Sequence, residues 1–303
     1  MRLSVIIACL NGADTIGIQL EALANQQWSE PWEVIFADNG SRDGTVTIVE
    51  QYRHKLPNLR IVDASDQPGK AHAGNVAMSA ASGEAFAFCD ADDEVAPGWV
   101  AAMGEALAEY DFVGGAMDYL KLNQPKRVKH QVGGIKQAEH PPFLPFCGGC
   151  NFGFNRSVYQ AIGGFDESFL FGEDTEYCWR AQLAGSKLQF VPNAVVHYRH
   201  RNTLAASYRQ ARNWSESYVL LRKKYGGSLS RLMMLKLLLG GWRHMPLCLV
   251  RIRSWEDLVE FAWQFGWKIG EMRGCIKQLT LPGLKPLGLL HHWDSRAVPL
   301  SKL

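Results

Sequence analysis

Short apolar runs alternate with helical periods through the first ninety residues. Leu3-Ser4-Val5-Ile6-Ile7-Ala8 is a β-branched run, and a helix is predicted from Asp14 to about Gln27 with Asp14 able to cap it. Val34–Ala37 reads as a second strand, and the turn-forming Asn39-Gly40-Ser41-Arg42-Asp43-Gly44 leads into a helix that ends near His54. Leu59–Val62 is a third strand, Pro68-Gly69 opens a helix over Lys70–Ala81, and Ala85–Cys89 is a fourth strand. These strands continue apolar on both faces and are separated by helices, which predicts a parallel sheet covered on two sides. Beyond Asp111 the pattern loosens. A strand is predicted at Phe112–Met117, an irregular loop from Lys121 to Pro145, and renewed order at Val158–Ile162. A helix over Thr175–Ala184 ends at Gly185, a strand over Leu188–Val191 stops at Pro192, and a helix covers Ala205–Tyr225. From Leu229 to Trp267 the chain is apolar and basic by turns. The expected division is an α/β domain over 1–226 and a helical extension over 227–303.

In such a sheet, ligands bind beyond the carboxyl ends of the strands. Asn11, Asp38, Asp66 and Asp90 follow the four strands and are expected at one edge, with a cap or turn as the competing role for Asp66. Cys89-Asp90-Ala91-Asp92-Asp93-Glu94 is the strongest signal. Four carboxylates at an apolar strand end repel one another and require positive charge. On extended backbone Asp90 and Asp92 point the same way, and oxygen ligands of this kind suit Mn²⁺ or Mg²⁺ carrying a substrate phosphate. The bland alternative is a solvated turn before Pro97.

Composition narrows the class. At 47% hydrophobic and 20% charged residues the chain is globular, not disordered. The net charge of +2 conceals 15 basic against 24 acidic residues over 1–200, and 17 against 6 over 201–303. A basic final third suits an anionic membrane surface or a solvated basic face. Seven cysteines, several inside apolar runs, read as buried thiols of a reducing compartment. No secretory signal is apparent, and Leu232–Gly241, the longest apolar stretch, is far short of the roughly 18 residues a spanning helix needs. The expected location is cytoplasmic, at most peripheral at the inner face of the membrane.

The ordered series Ser4–Ala8 with Asn11, Ala37-Asp38-Asn39-Gly40-Ser41-Arg42-Asp43-Gly44-Thr45, Gly69-Lys70-Ala71 with Asn75, and Gly83-Glu84 leading to Asp90-Ala91-Asp92-Asp93 resembles the family 2 glycosyltransferases of the GT-A fold. The likeness covers about residues 3–200 and rests on the order of motifs, since each alone is weak. It implies a Rossmann-like mixed sheet with helices on both faces and an inverting transfer from a nucleoside-diphosphate sugar to a carbohydrate or lipid-linked acceptor. It further implies a nucleotide pocket lined by Ala8, Leu10 and Asn11, with Asp38 on the base. Gly69, Lys70 and Asn75 fall on the phosphate side, Asp90 and Ala91 near the ribose, and Asp92 with Asp90 at the metal. Glu173-Asp174 matches the family's acidic pair, whose Asp serves as base. A carboxylate is needed there because an acceptor hydroxyl is a poor nucleophile until its proton is taken; the competing role is a carboxylate at a helix N-terminus.

Gly148–Phe154 is similar to the family's acceptor segment, and His197 stands where relatives place a histidine near the metal. A structural role competes for His197, and a surface role for Lys70. Gly74 departs from the pattern, since many relatives carry a basic residue there. Cys147-Gly148-Gly149-Cys150 lacks the second pair a zinc site needs. Two rivals remain: a nucleotidyltransferase, which would want a Gly-rich basic loop where this chain has Asn11-Gly12-Ala13-Asp14, and a non-catalytic module whose interleaved Trp and Arg (Trp242, Arg243, Arg251, Arg253, Trp255) bind a membrane or polyanion. No nucleic acid partner is expected.

Overall fold

The computed structural model describes residues 2–280 apart from 57, 125–131, 141, 227–233, 235–237 and 241. Strands β1 (Leu3–Cys9), β2 (Trp32–Asp38), β3 (Leu59–Asp63) and β4 (Ala85–Cys89) run parallel in the order β3-β2-β1-β4. Helices α1 (Ile16–Ala24), α2 (Thr45–Gln51) and α3 (Lys70–Ala80) connect them. The unbroken apolar run of β1 follows from burial on both faces: Val5 and Ile7 pack with Ile16 and Leu20 of α1, whereas Ile6 packs with Ala77 and Met78 of α3.

Asp14 does not cap α1, which begins at Ile16 without a side-chain cap. The amides of Asn11, Gly12 and Ala13 instead donate to Ser41 Oγ (2.9 Å), Thr45 Oγ1 (2.8 Å) and Asp43 Oδ2 (3.0 Å). The polar turn after β2 therefore satisfies the loop after β1, a long-range partner that removes the need for a local cap.

Past Cys89 the chain turns, adds β5 (Glu94–Val95), and forms α4 (Trp99–Glu109) and β6 (Phe112–Asp118). β10 (Asn151–Asn155) then inserts antiparallel between β4 and β6, and β11 (Leu188–His197) lies parallel to β6 with β5 at the edge. The sheet is therefore mixed, with nine strands among the described residues, β7 (Val132–Gly133) pairing with β6. The loop expected over 121–145 contains β7 and a small pair, β8 (Lys136–Gln137) with β9 (Pro145–Phe146), its remaining part lying partly outside the described residues. Pro192 does not end β11: the register shifts between Val191 and Val195, so the proline falls in a bulge where no ladder amide is required.

Helices α5 (Arg156–Ile162), α6 (Glu173–Leu183), α7 (Leu204–Gly226), α8 (Met245–Val250) and α9 (Trp255–Thr280) complete the described fold. Buried Glu176 joins α6 to α7: it pairs with Arg180 at 3.0 Å and Lys224 at 2.7 Å and accepts from Tyr225 Oη at 2.8 Å. α9 packs along α7 in the same direction, since Cβ atoms on Gly266, Gly270 and Gly274 would strike Tyr208, Arg212 and Val219 in turn. No described helix is long and apolar enough to cross a membrane, and the apolar stretch Leu232–Gly241 lies mostly outside the described residues.

Candidate active site

A pocket opens at the carboxyl edge of β1 and β4, and Ala8, Lys70, Asp90, Gly149, Glu173 and Asp174 line it. Three elements deliver its four charged groups: Lys70 begins α3, Asp90 directly follows β4, and Glu173 and Asp174 occupy the first turn of α6. Gly172 immediately before α6 has φ +75°, a left-handed conformation that favours glycine. The positive end of the helix then faces the two carboxylates. Asp174 Oδ2 accepts from the Gly149 amide at 2.7 Å, and Oδ1 accepts from the Thr175 amide at 2.6 Å. Glycine eases this approach, since a Cβ at 149 would lie 3.1 Å from Asp174 Cβ and 3.3 Å from Oδ2 and would press on the carboxylate.

The site concentrates negative charge in partly dry surroundings. Burial, then Asp174, pushes the Glu173 carboxyl up to about 8 against the pull of Lys70. Burial also raises Asp90, opposed by Lys70 and reinforced by Asp92. Burial would lower the Lys70 ammonium, but Asp90 and Glu173 outweigh it and hold it well above its usual value. Lys70 Nζ is ion-paired with Asp90 Oδ1. Asp92 has a cation of its own, Arg201 Nη1, and its carbonyl accepts from Arg199 Nε at 2.9 Å.

Ala91 and Asp92 are in a turn, not on extended backbone, so the common-face argument for Asp90 and Asp92 fails. β4 stops at Cys89 and the chain must reverse to set β5 against β11. Asp93 is buried instead: its Oδ1 accepts from the Arg199 amide at 2.8 Å, and its Oδ2 has no hydrogen-bond partner among the described residues. Burial first, then Asp90 and Asp92, drives the Asp93 carboxyl well above the ordinary range. Asp90, Asp93 and Cys150 each offer one ligand atom, all within 4.8 Å of one another. An orphaned buried carboxylate oxygen beside a second carboxylate is a donor set that fits a divalent cation. His197 is outside this group; its Nδ1 lies 2.6 Å from Asp118 Oδ2.

The remaining candidates are dispersed. Leu10 is exposed just past β1, and Asn11 Oδ1 accepts from the Arg42 amide at 2.8 Å. Asp38 ends β2, its carboxylate accepting from the Ser41 amide at 3.2 Å. Gly69 is held by Asn39, whose Oδ1 accepts the Gly69 amide at 2.8 Å. Asn75 braces the segment before α6, donating to Phe165 O at 3.0 Å and Glu167 Oε1 at 2.7 Å while accepting from the Phe165 amide. Gly74 lies against the Phe165 ring, where a Cβ would come within 2.8 Å, so no basic side chain fits there. Asp66 is on the surface with His72 and does not join the edge. Cys147 Sγ faces Cys178 Sγ at 3.6 Å, whereas Cys150 Sγ faces the acidic cluster and Met117; all seven cysteines are unpaired. Sequence reasoning missed Arg199, Arg201 and the Gly149 amide, and named Asp93 only as one carboxylate of the cluster. The first two had a signal, a basic run directly after the strand ending in His197.

Four parallel strands, an antiparallel insertion and an acidic cluster at the carboxyl edge define a GT-A type fold with a helical C-terminal region, and solved structures share it. The mannosyltransferase PcManGT from Pyrobaculum calidifontis, in complex with GDP-Man and Mn²⁺, matches with a TM-score of 0.60 and 20% identity over 92% of this chain and 87% of its own. S. aureus TarS matches with a TM-score of 0.56 and 18% identity over 92% of this chain and 55% of its own, and its complex with UDP-GlcNAc with a TM-score of 0.51. The chain belongs to glycosyl transferase family 2: that family's model matches residues 4–163, and the model for glycosyl transferase family group 2 matches 128–269. Glycosyltransferase AglE of Haloferax volcanii is 27% identical over 63% of this chain and 65% of its own length. The chain thus spans about two thirds of AglE and about half of TarS.

Proposed function

We propose that the chain transfers a sugar, with inversion, from a nucleoside-diphosphate sugar to a hydroxyl of a carbohydrate or lipid-linked acceptor, residues 1–226 forming the catalytic unit. The observation that carries this reading is the meeting of Asp174, Glu173, Lys70 and Asp90 in one pocket at the sheet's carboxyl edge. PcManGT with GDP-Man and TarS with UDP-GlcNAc share the fold and support a nucleotide-sugar donor.

Asp174 takes the acceptor proton as the new oxygen–carbon bond forms, and the nucleoside diphosphate leaves from the opposite face with the bonding pair of the old one. The Gly149 amide keeps the carboxylate aimed. Glu173, protonated at neutral pH, spares the site a second negative charge beside the base. Lys70 and the first amides of α3 attract the diphosphate, and Asp38 accepts from the nucleobase. Mn²⁺ or Mg²⁺ would be held at the aspartate cluster by Asp92 and Asp90, beside Asp93 Oδ2; His197, outside that cluster, keeps its Nδ1 on Asp118. When bound, the cation supplies Lewis-acid neutralisation of charge on the diphosphate.

The test is nucleoside diphosphate release from common nucleotide sugars, with and without Mn²⁺ or Mg²⁺. The wild type should release product from one donor, and Asp174→Asn should not at saturating substrate. Near-normal turnover by Asp174→Asn removes the base assignment.

A further inference from the structure

Five exposed large apolar side chains, Leu239, Leu247, Leu249, Val250 and Trp255, fall within one short stretch of the chain. α8 has no buried residue, and Val250 is 79% exposed. Exposed Arg243, His244, Arg251 and Arg253 flank these side chains. Between Leu238 and Trp255 the chain holds three Arg and no Asp or Glu, and the exposed Asp257 that follows is engaged by the Arg253 and Ser254 amides. So many large apolar side chains exposed within one short stretch are uncommon on a soluble monomer and mark a contact site. Its basic rim selects the partner: a twofold contact with a second copy would set arginine against arginine, whereas an anionic lipid surface meets the apolar side chains with acyl chains and the guanidiniums with phosphates.

We infer that α8 and the turn into α9 form a docking surface for an anionic phospholipid membrane. The patch is carried by the folded body, since Trp242 packs edge-on against Phe265 of α9 at 6.1 Å, α9 lies along α7, and α7 is locked to α6 by Glu176. Docking there holds the catalytic body at the surface. Arg251 and Arg253 supply the lipid phosphate contacts, and Leu249 and Val250 enter the acyl boundary.

Flotation of the full chain with vesicles of phosphatidylcholine, alone or mixed with phosphatidylglycerol, tests this. The wild type should float with the anionic vesicles only and be released by salt. Removing each arginine charge should weaken binding about fivefold, so Arg251→Ala with Arg253→Ala should float poorly, as should Leu249→Ser with Val250→Ser. Unchanged thermal midpoints and nucleoside diphosphate release would show that the fold and the pocket survive in both variants. Failure of the wild type to float, equal flotation with pure phosphatidylcholine, or undiminished flotation of both variants overturns the inference. A dimer in sedimentation equilibrium that the same variants dissolve also overturns it, assigning the patch to a second copy. Because the vesicle assay does not read transfer, its failure leaves the catalytic proposal standing.

Discussion

Asp174 depends on a glycine 25 residues earlier, because the Gly149 amide holds one carboxylate oxygen and the missing Cβ leaves room for it. Gly149→Ala should therefore lower kcat by about tenfold or more while leaving the donor KM nearly unchanged, in steady-state kinetics, since small misplacements of a reacting group are costly. An unaltered kcat would show that Asp174 needs no such support. Glu173 gives a pH signature. Its carboxyl titrates near about 8 in the folded chain against an ordinary value of 4.5, so the folded state binds the extra proton over that interval. Stability must then fall as pH rises through it, as the unfolded chain ionises first. Glu173→Gln cannot ionise, and its urea midpoint should decline less steeply between about pH 5 and about pH 9; parallel profiles for the two proteins would refute the shift. At this scale the places of Asp90 and Asp174 in the pocket were legible from a strand end and motif order. Those of Asp93, Arg199 and Arg201 were not, because their partners are more than a hundred residues away along the chain.

At the element scale, β1, β2 and β4 follow directly from two-sided apolar runs and β3 is a half-exposed edge strand, whereas β10 was hidden in a segment of small residues. Its glycine lies against β4, where a Cβ on Gly153 would meet Phe86 O at 2.7 Å, and its asparagine is fully satisfied: Asn151 accepts from Trp99 Nε1 and donates to Ala116 O and Ala194 O. A polar residue that bonds three other elements in the core leaves no periodic trace. The α6–α7 joint is equally non-local. Glu176→Ala strips a fully buried carboxylate from Arg180, Lys224 and Tyr225 and should cost about 3–5 kcal/mol, read from the urea midpoint. A change below about 1 kcal/mol would mean that α7 is held by its apolar packing alone.

Over the whole molecule, the carboxyl edge of the sheet is acidic while the C-terminal third is basic, and these opposite fields suit different partners. An anionic diphosphate approaching Asp90, Asp92 and Asp93 is repelled unless positive charge intervenes. Lys70 and Arg201 already answer Asp90 and Asp92, but Asp93 Oδ2 remains unanswered in a buried position. The most direct measurement is calorimetric titration of UDP and GDP into the full chain with Mn²⁺ or with a chelator, beside Asp92→Ala. Mn²⁺ should tighten binding of one of the two nucleotides at least about tenfold, equivalent to about 1.4 kcal/mol, and Asp92→Ala should abolish that gain. Equal affinity with manganese and with the chelator would contradict the claim that a cation bridges these aspartates and the diphosphate.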